Sequence, residues 1–247
     1  MAACPACGTK LPVESPFCPF CGAPLTAQPA TSSLEERKVV SVLFCDLVGF
    51  TAASEAVDPE DVRARLRPYH ARLREEVERF GGTVEKFIGD AVMAVFGAPV
   101  AHEDDAERAV RAGLRILEAI GELNEADPGL GLHVRVGINT GEGVVALGAR
   151  PELGEGIVAG DVVNTASRLQ GAAPVDGVAV SAQTYRQTER VFEYEPMEPV
   201  AVKGKSESLP IFRPLRARAE FGVDVIRKHT TPLIGRASCR ERVWIPV

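Results

Sequence analysis

Three observations predict an α+β fold. Short apolar runs suited to strands alternate with two long amphipathic segments suited to helices, in the order β-α-β-β-α-β. Turn signals, Gly81-Gly82 and Gly89-Asp90, separate these runs. A short segment rich in cysteine and proline, without helical or strand period, precedes them. The order is that of ferredoxin-like domains, in which helices cover one face of an antiparallel sheet.

Residues 1–24 carry clustered cysteines, and 25–37 read as a linker of Pro, Ser, Thr and Glu. From Lys38 to 213 the pattern is that of a folded domain. VVSVLF is a buried strand, apolar on both faces. Asp58-Pro59 opens a helix that runs to about Phe80, and Pro68 within it predicts a kink or a break. TVEKFI and AVMAVFG are strands joined by a tight turn at Gly89-Asp90. A second helix runs from His102 to Ala126, with Ala109, Ala112, Leu114, Ile116 and Leu117 along its apolar side. LHVRVGIN and GVVALG read as a strand pair turning around Thr140-Gly141-Glu142-Gly143. GDVVNTASRLQGA, at 160–172, reads as a helix, and short strands follow near 178–180, 191–195 and 209–213. Residues 214–247 begin as a basic, polar linker. TPLIGR at 231–236 resembles the opening of a P-loop ATPase module. IGRASCRERV also resembles the translation of a sequencing-adapter read-through, which would make the final residues, Cys239 and Trp244 included, foreign to the natural protein.

A chain of 247 residues, 45% hydrophobic and 25% charged, can bury one or two ordinary cores. Its formal charge of −6 argues against a broad nucleic-acid-binding surface. No stretch is long and apolar enough to span a bilayer, and the N-terminus lacks the basic start and apolar block of a signal peptide. The expected location is the cytoplasm, with no membrane partner.

Four cysteines form two C-x-x-C knuckles, Cys4/Cys7 and Cys18/Cys21, each followed by glycine. That spacing brings two sulfurs to one side of a tight turn, as a tetrahedral Zn²⁺ site requires. The alternatives are a chance cluster of thiols or disulfides. The segment resembles a zinc ribbon. It is too short to bury a core and would fold on the metal. It is not strongly basic, so a structural or protein-contact role is expected ahead of nucleic-acid binding.

Asp46 and Asp90 each stand at the end of an apolar strand beside glycine. Singly, each could be a turn residue. Converging, they would hold hard divalent cations for phosphoryl chemistry. Read alone, Arg135 between Val134 and Val136 could be a solvent-facing strand position. Lys86 could likewise be a surface strand residue, and Lys203 a turn lysine.

CDLVGFT, VEKFIGDAVMAVFG, RVGINTGE, GDVVNTASRL and VKGK occur in this order, and together they resemble the class III nucleotidyl cyclase domain over about residues 38–213. The resemblance implies that Asp46 and Asp90, with Leu47, bind two Mg²⁺ or Mn²⁺ ions per active site. It implies that the backbone from Leu47 to Thr51, Phe50 included, receives the triphosphate, and that Arg135 contacts the terminal phosphates. Lys86 would select the base. Asn164 and Arg168 would position the ribose and stabilise charge in the transition state, and Lys203 would meet the leaving pyrophosphate. At Ile157 the sequence departs from the family, which usually has Asp or Thr there to read the base. Isoleucine cannot hydrogen-bond a purine. The implied protein is a homodimer with two shared sites that makes cyclic AMP from ATP. Two alternatives stand beside it. One is a weak or inactive cyclase-like module that binds nucleotide or dimerises to regulate a C-terminal sensor. The other is a zinc-ribbon adaptor contacting nucleic acid or protein.

Overall fold

The structure, a computed structural model, describes residues 2–3, 7–11, 18, 20–21, 34–50, 59–149, 156–200 and 208–218. Cys4, Thr51, Lys203, most of the expected linker and the stretch containing TPLIGR lie outside the described residues.

Near the N-terminus β1 (Ala2–Ala3) and β2 (Lys10–Leu11) pair antiparallel around the first cysteine knuckle. The main unit is an eight-stranded sheet. Its strands are β3 (Leu34–Leu47), β4 (Thr83–Ile88), β5 (Ala91–Phe96), β6 (Val134–Leu147), β7 (Val158–Ala159), β8 (Gly177–Ser181), β9 (Phe192–Val200) and β10 (Leu209–Ala217). The spatial order is β4-β5-β3-β6-β8-β10-β9, with β7 paired to β6. Every pairing is antiparallel except β6 with β8.

Alternation along β3 divides the core. Leu43, Cys45 and Leu47 join one apolar cluster with Tyr69 and Leu73 of α1 (Pro59–Arg79) and Ile116 and Ile120 of α2 (Asp105–Ala126). Val40 and Val42 join a second cluster with Ile157, Val158, and Val162 and Ala166 of α3 (Asp161–Ala172). The mixed α+β class is as expected, but helices cover both faces, not one. The parallel step from β6 to β8 explains this, because such a connection must cross over a face of the sheet, and α3 is part of that crossover.

Three further expectations change. β3 begins at Leu34, inside the expected linker. β6 is one unbroken strand paired with β3 along its whole length, not a strand pair turning at 140–143. Gly137 and Gly143 serve close packing instead of a turn. A Cβ at Gly143 would lie 2.9 Å from Val158, and one at Gly137 would lie 2.1 Å from the backbone nitrogen of Gln170 on α3. Finally, α1 continues through Pro68, which is exposed, so water can satisfy the carbonyl that loses its partner. The short helix α4 (Ala182–Thr188) was not anticipated. The hydroxyl of Ser181 caps it by accepting from the Thr184 N–H at 3.2 Å.

Candidate active site

β3 ends in the sequence Cys45-Asp46-Leu47. Cys45 points into the core beneath α1, where its sulfur lies 3.6 Å from the Tyr69 hydroxyl and burial pushes the thiol pKa up to about 12. It is an inert packed thiol. One position on, Asp46 faces the opposite side of the sheet, towards α3. The turn that carries Asp90 sits beside it, because β5 pairs antiparallel with β3 through Cys45 and Val92. Gly89 occupies the first central position of that two-residue turn with φ of +64°, which suits a II′ hairpin. Ile88 and Ala91 close it.

The Asp46 and Asp90 carboxylates come close enough to share a hydrogen bond. Burial, and then the charge of Asp90, hold the Asp46 carboxyl above its ordinary range. The Leu47 backbone and the Gln170 amide, 3.5 Å away, offset this in part. Two half-buried carboxylates beside a strand-end backbone are hard oxygen donors with their repulsion only partly relieved, which suits a divalent cation. Arg135 is the cross-strand partner of Asp46 and shares its face. Its Nη1 donates to the Gly171 carbonyl at 3.5 Å, and its buried Nε has no hydrogen-bond partner. After β3, Val48 donates its N–H to the His133 carbonyl at 2.8 Å. Gly49 then turns the chain with φ of +74°, and Phe50 packs against the edge of the core. His70 of α1 donates to the Gly89 carbonyl beneath the Asp90 turn, and burial lowers its pKa.

A second group of residues gathers on β4. Val84 pairs with Ala94 and Lys86 with Met93, so Glu85 is the extra residue of a β-bulge. Val84 and Phe87 both pack towards α1 and α2. The bulge therefore sends Glu85 and Lys86, consecutive in sequence, to the α3 face. Lys86 is exposed and its Nζ lies 3.7 Å from Glu85 Oε1. Glu85 is only 3% exposed, and its Oε2 accepts the Val158 N–H at 3.2 Å. Ile157, with its side chain buried in the second cluster, lies against this same carboxylate through its backbone. Lys86 and Ile157 are thus brought to one place. Sequence reasoning missed Glu85 and Gln170. The first left a trace, the adjacent charges Glu85-Lys86 interrupting an apolar strand. The second left none.

Asn164 and Arg168 are one turn apart on α3, opposite the buried positions Val162, Thr165, Ala166 and Leu169. That face turns away from the sheet of this chain, with Asn164 exposed and Arg168 half-buried. They are therefore not aimed at Asp46 and Asp90 of the same chain.

At the N-terminus the sulfurs of Cys7, Cys18 and Cys21 lie within 4.8 Å of one another, and Cys7 and Cys18 are 3.7 Å apart. A tetrahedral zinc with bonds of about 2.3 Å sets its sulfurs about 3.8 Å apart, so the cluster fits such an ion. No helix among the described residues is long and apolar enough to cross a membrane.

Residues 33–212 match the adenylate and guanylate cyclase catalytic domain family, and residues 4–25 match the zinc-ribbon domain family. Over 182 residues the chain is 36% identical to adenylate cyclase 1 of Rhizobium meliloti, which covers 71% of this chain but only 27% of that protein. Its structure resembles the adenylyl cyclase CyaB of P. aeruginosa, with a TM-score of 0.69 and 31% identity over 76% of this chain and 99% of the other. It also resembles the guanylyl cyclase Cya2, with a TM-score of 0.66 and 29% identity over 77% and 98%.

Proposed function

We propose that this chain, which belongs to the adenylate and guanylate cyclase catalytic domain family, converts ATP to 3′,5′-cyclic AMP and pyrophosphate at two sites shared across a head-to-tail homodimer. The observation that carries the reading is the division of the expected site residues. Asp46, Asp90 and Arg135 converge on one face, while Asn164 and Arg168 point outward from α3. A second copy would bring its own α3 to the first copy's carboxylates.

In this reading Asp46, Asp90 and the Leu47 backbone hold two Mg²⁺ or Mn²⁺ ions. Bound there, the cations would lower the pKa of the ribose 3′-hydroxyl and neutralise the phosphates. Backbone N–H groups from Leu47 to Thr51 receive the triphosphate, and Arg135 holds its terminal end. Lys86 donates to N1 of adenine. From the partner copy, Asn164 positions the ribose, Arg168 meets charge as it develops on the α-phosphate, and Lys203 holds the departing pyrophosphate. Removing one such charge-stabilising donor typically costs two to three orders of magnitude, roughly, in rate.

The zinc ribbon, expected over residues 1–24, is read as a structural attachment in which Cys4 completes the set formed by Cys7, Cys18 and Cys21. Metal analysis of the purified chain should find zinc, and Cys18→Ser should lose it. The cyclase domain is read over 38–213, acting in the cytoplasm, where ATP is available.

One observation favours the inactive-module reading. Ile157 is 4% exposed and offers no side-chain group to a base. The deciding experiment gives the full chain ATP or GTP with Mn²⁺ beside Asp46→Ala. Cyclic AMP from the wild type alone supports the enzyme. A chain that binds nucleotide and makes no product supports the regulatory module instead.

A further inference from the structure

Glu85 has no part in the reading above, yet it stands where the purine would be read. Its Oε2 is fixed by the Val158 N–H at 3.2 Å. Its Oε1 is buried without a hydrogen-bond partner, 3.7 Å from the Lys86 ammonium. Oε1 faces Gly156, where a Cβ would come within 3.4 Å of it. A buried carboxylate oxygen held only by a long ion pair and no hydrogen bond is under-satisfied, which costs stability and is worth keeping where a further donor completes it.

The bulge in β4 matters here. In a regular strand consecutive side chains face opposite ways. The extra residue places a carboxylate acceptor and an ammonium donor side by side on the α3 face. The Watson–Crick edge of adenine offers the complementary pair, an exocyclic N–H donor next to the N1 acceptor. Ile157, at the same place, provides neither.

We propose that Glu85 determines base specificity: its Oε1, which has no hydrogen bond of its own, accepts one from the exocyclic amine of adenine while Lys86 donates to N1, which supplies the acceptor that Ile157 lacks. The inference rests on the nucleotidyl cyclase reading. It assigns the adenine preference to a residue on β4 next to the lysine, not to the segment entering α3.

The test uses the full chain and Glu85→Gln. Glutamine keeps an oxygen for the Val158 N–H but turns an N–H₂ donor to where Oε1 stands. Three nucleotides are compared: ATP, purine riboside 5′-triphosphate, which lacks only the exocyclic amine, and GTP, which has a carbonyl in its place. Affinity is read by displacement of a fluorescent ATP analogue and turnover as kcat/KM with Mn²⁺. The wild type should prefer ATP over the amine-less nucleotide by roughly tenfold to a hundredfold, the range of one well-placed base contact. Glu85→Gln should lose that preference and gain GTP relative to ATP, while melting no lower than the wild type. A preference unchanged in the variant, or a variant that weakens all three nucleotides alike, overturns the proposal and leaves Glu85 as a brace for Val158. A wild type that binds nucleotide but makes no product refutes the enzyme reading alone, since the binding ratios still decide the role of Glu85. A wild type that does neither overturns both.

Discussion

At Asp46 the fold works against its own stability. Burial, and then the neighbouring charge of Asp90, hold this carboxyl above its ordinary value of 3.8. A raised pKa in the folded state means that stability is complete below the unfolded value and is lost as pH rises through the folded one. At neutral pH, without cations, Asp46→Asn should therefore melt higher than the wild type. The gap should close towards about pH 4. Added Mn²⁺ should reverse the order by stabilising the wild type alone. Equal responses of the two proteins to the cation would sink the assignment. Glu85 follows the same sign. Burial raises its carboxyl above 4.5, and Lys86 pulls it back only in part. The melting temperature of Glu85→Gln relative to wild type should climb as pH rises from about 4.5 through the raised value, and a flat difference would contradict it. The two carboxylates differ in how they could be read beforehand. Asp46 stands in a run whose neighbours announce it, whereas the importance of Glu85 depends on a bulge, a register slip between β4 and β5 that residue types alone do not specify.

At the scale of elements, the contact between α3 and β6 sets where Asn164 and Arg168 stand. The two elements meet backbone to backbone at Gly137, where a Cβ would lie 2.1 Å from the Gln170 nitrogen and 2.6 Å from the Ala166 carbonyl. Backbone cannot swing aside as a side chain can, so Gly137→Ala must push the helix off the strand. We expect it to destabilise the fold by about 3 kcal/mol, at the upper end of overpacking costs, and to cut turnover by displacing Arg168. Gly141→Ala is the control. Its nearest neighbours are Val162 side-chain atoms at 3.6 Å, an ordinary contact, so denaturant midpoints should be unchanged or slightly raised. Similar losses for both would mean that the close approach is not what fixes α3. This contact also shows why some elements were legible and others not. The strands of the β4–β5 hairpin and the helices α1 and α2 follow from local period and turn residues. β6 did not, because Gly141 and Gly143 look like a turn when read locally, and only Val158 and Val162 packing over Gly143 reveal that this glycine allows close approach within a continuous strand. The same limit hid the second helical face, since the parallel β6–β8 pairing is a long-range fact.

At the scale of the whole molecule, a single chain holds both halves of the proposed active site but points them in different directions. Asp46, Asp90 and Arg135 gather at the ends of β3 and β6, while Asn164 and Arg168 look outward from α3. In the proposed dimer, two copies arranged head to tail would complete two sites, each taking Asp46 from one chain and Arg168 from the other. This makes a prediction that no single-chain site can satisfy. Asp46→Ala and Arg168→Ala should each be inactive alone. Mixed, a heterodimer carries one site with both defects and one with neither. With equal amounts and free exchange, half the dimers are mixed, and each has one working site of two, so activity should return to about a quarter of the wild type. Recovery should require chain exchange and vanish when the two proteins are kept apart by prior crosslinking. No recovery despite demonstrated exchange would mean that Arg168 serves the carboxylates of its own chain, and α3 would then have to turn its outer face towards the sheet.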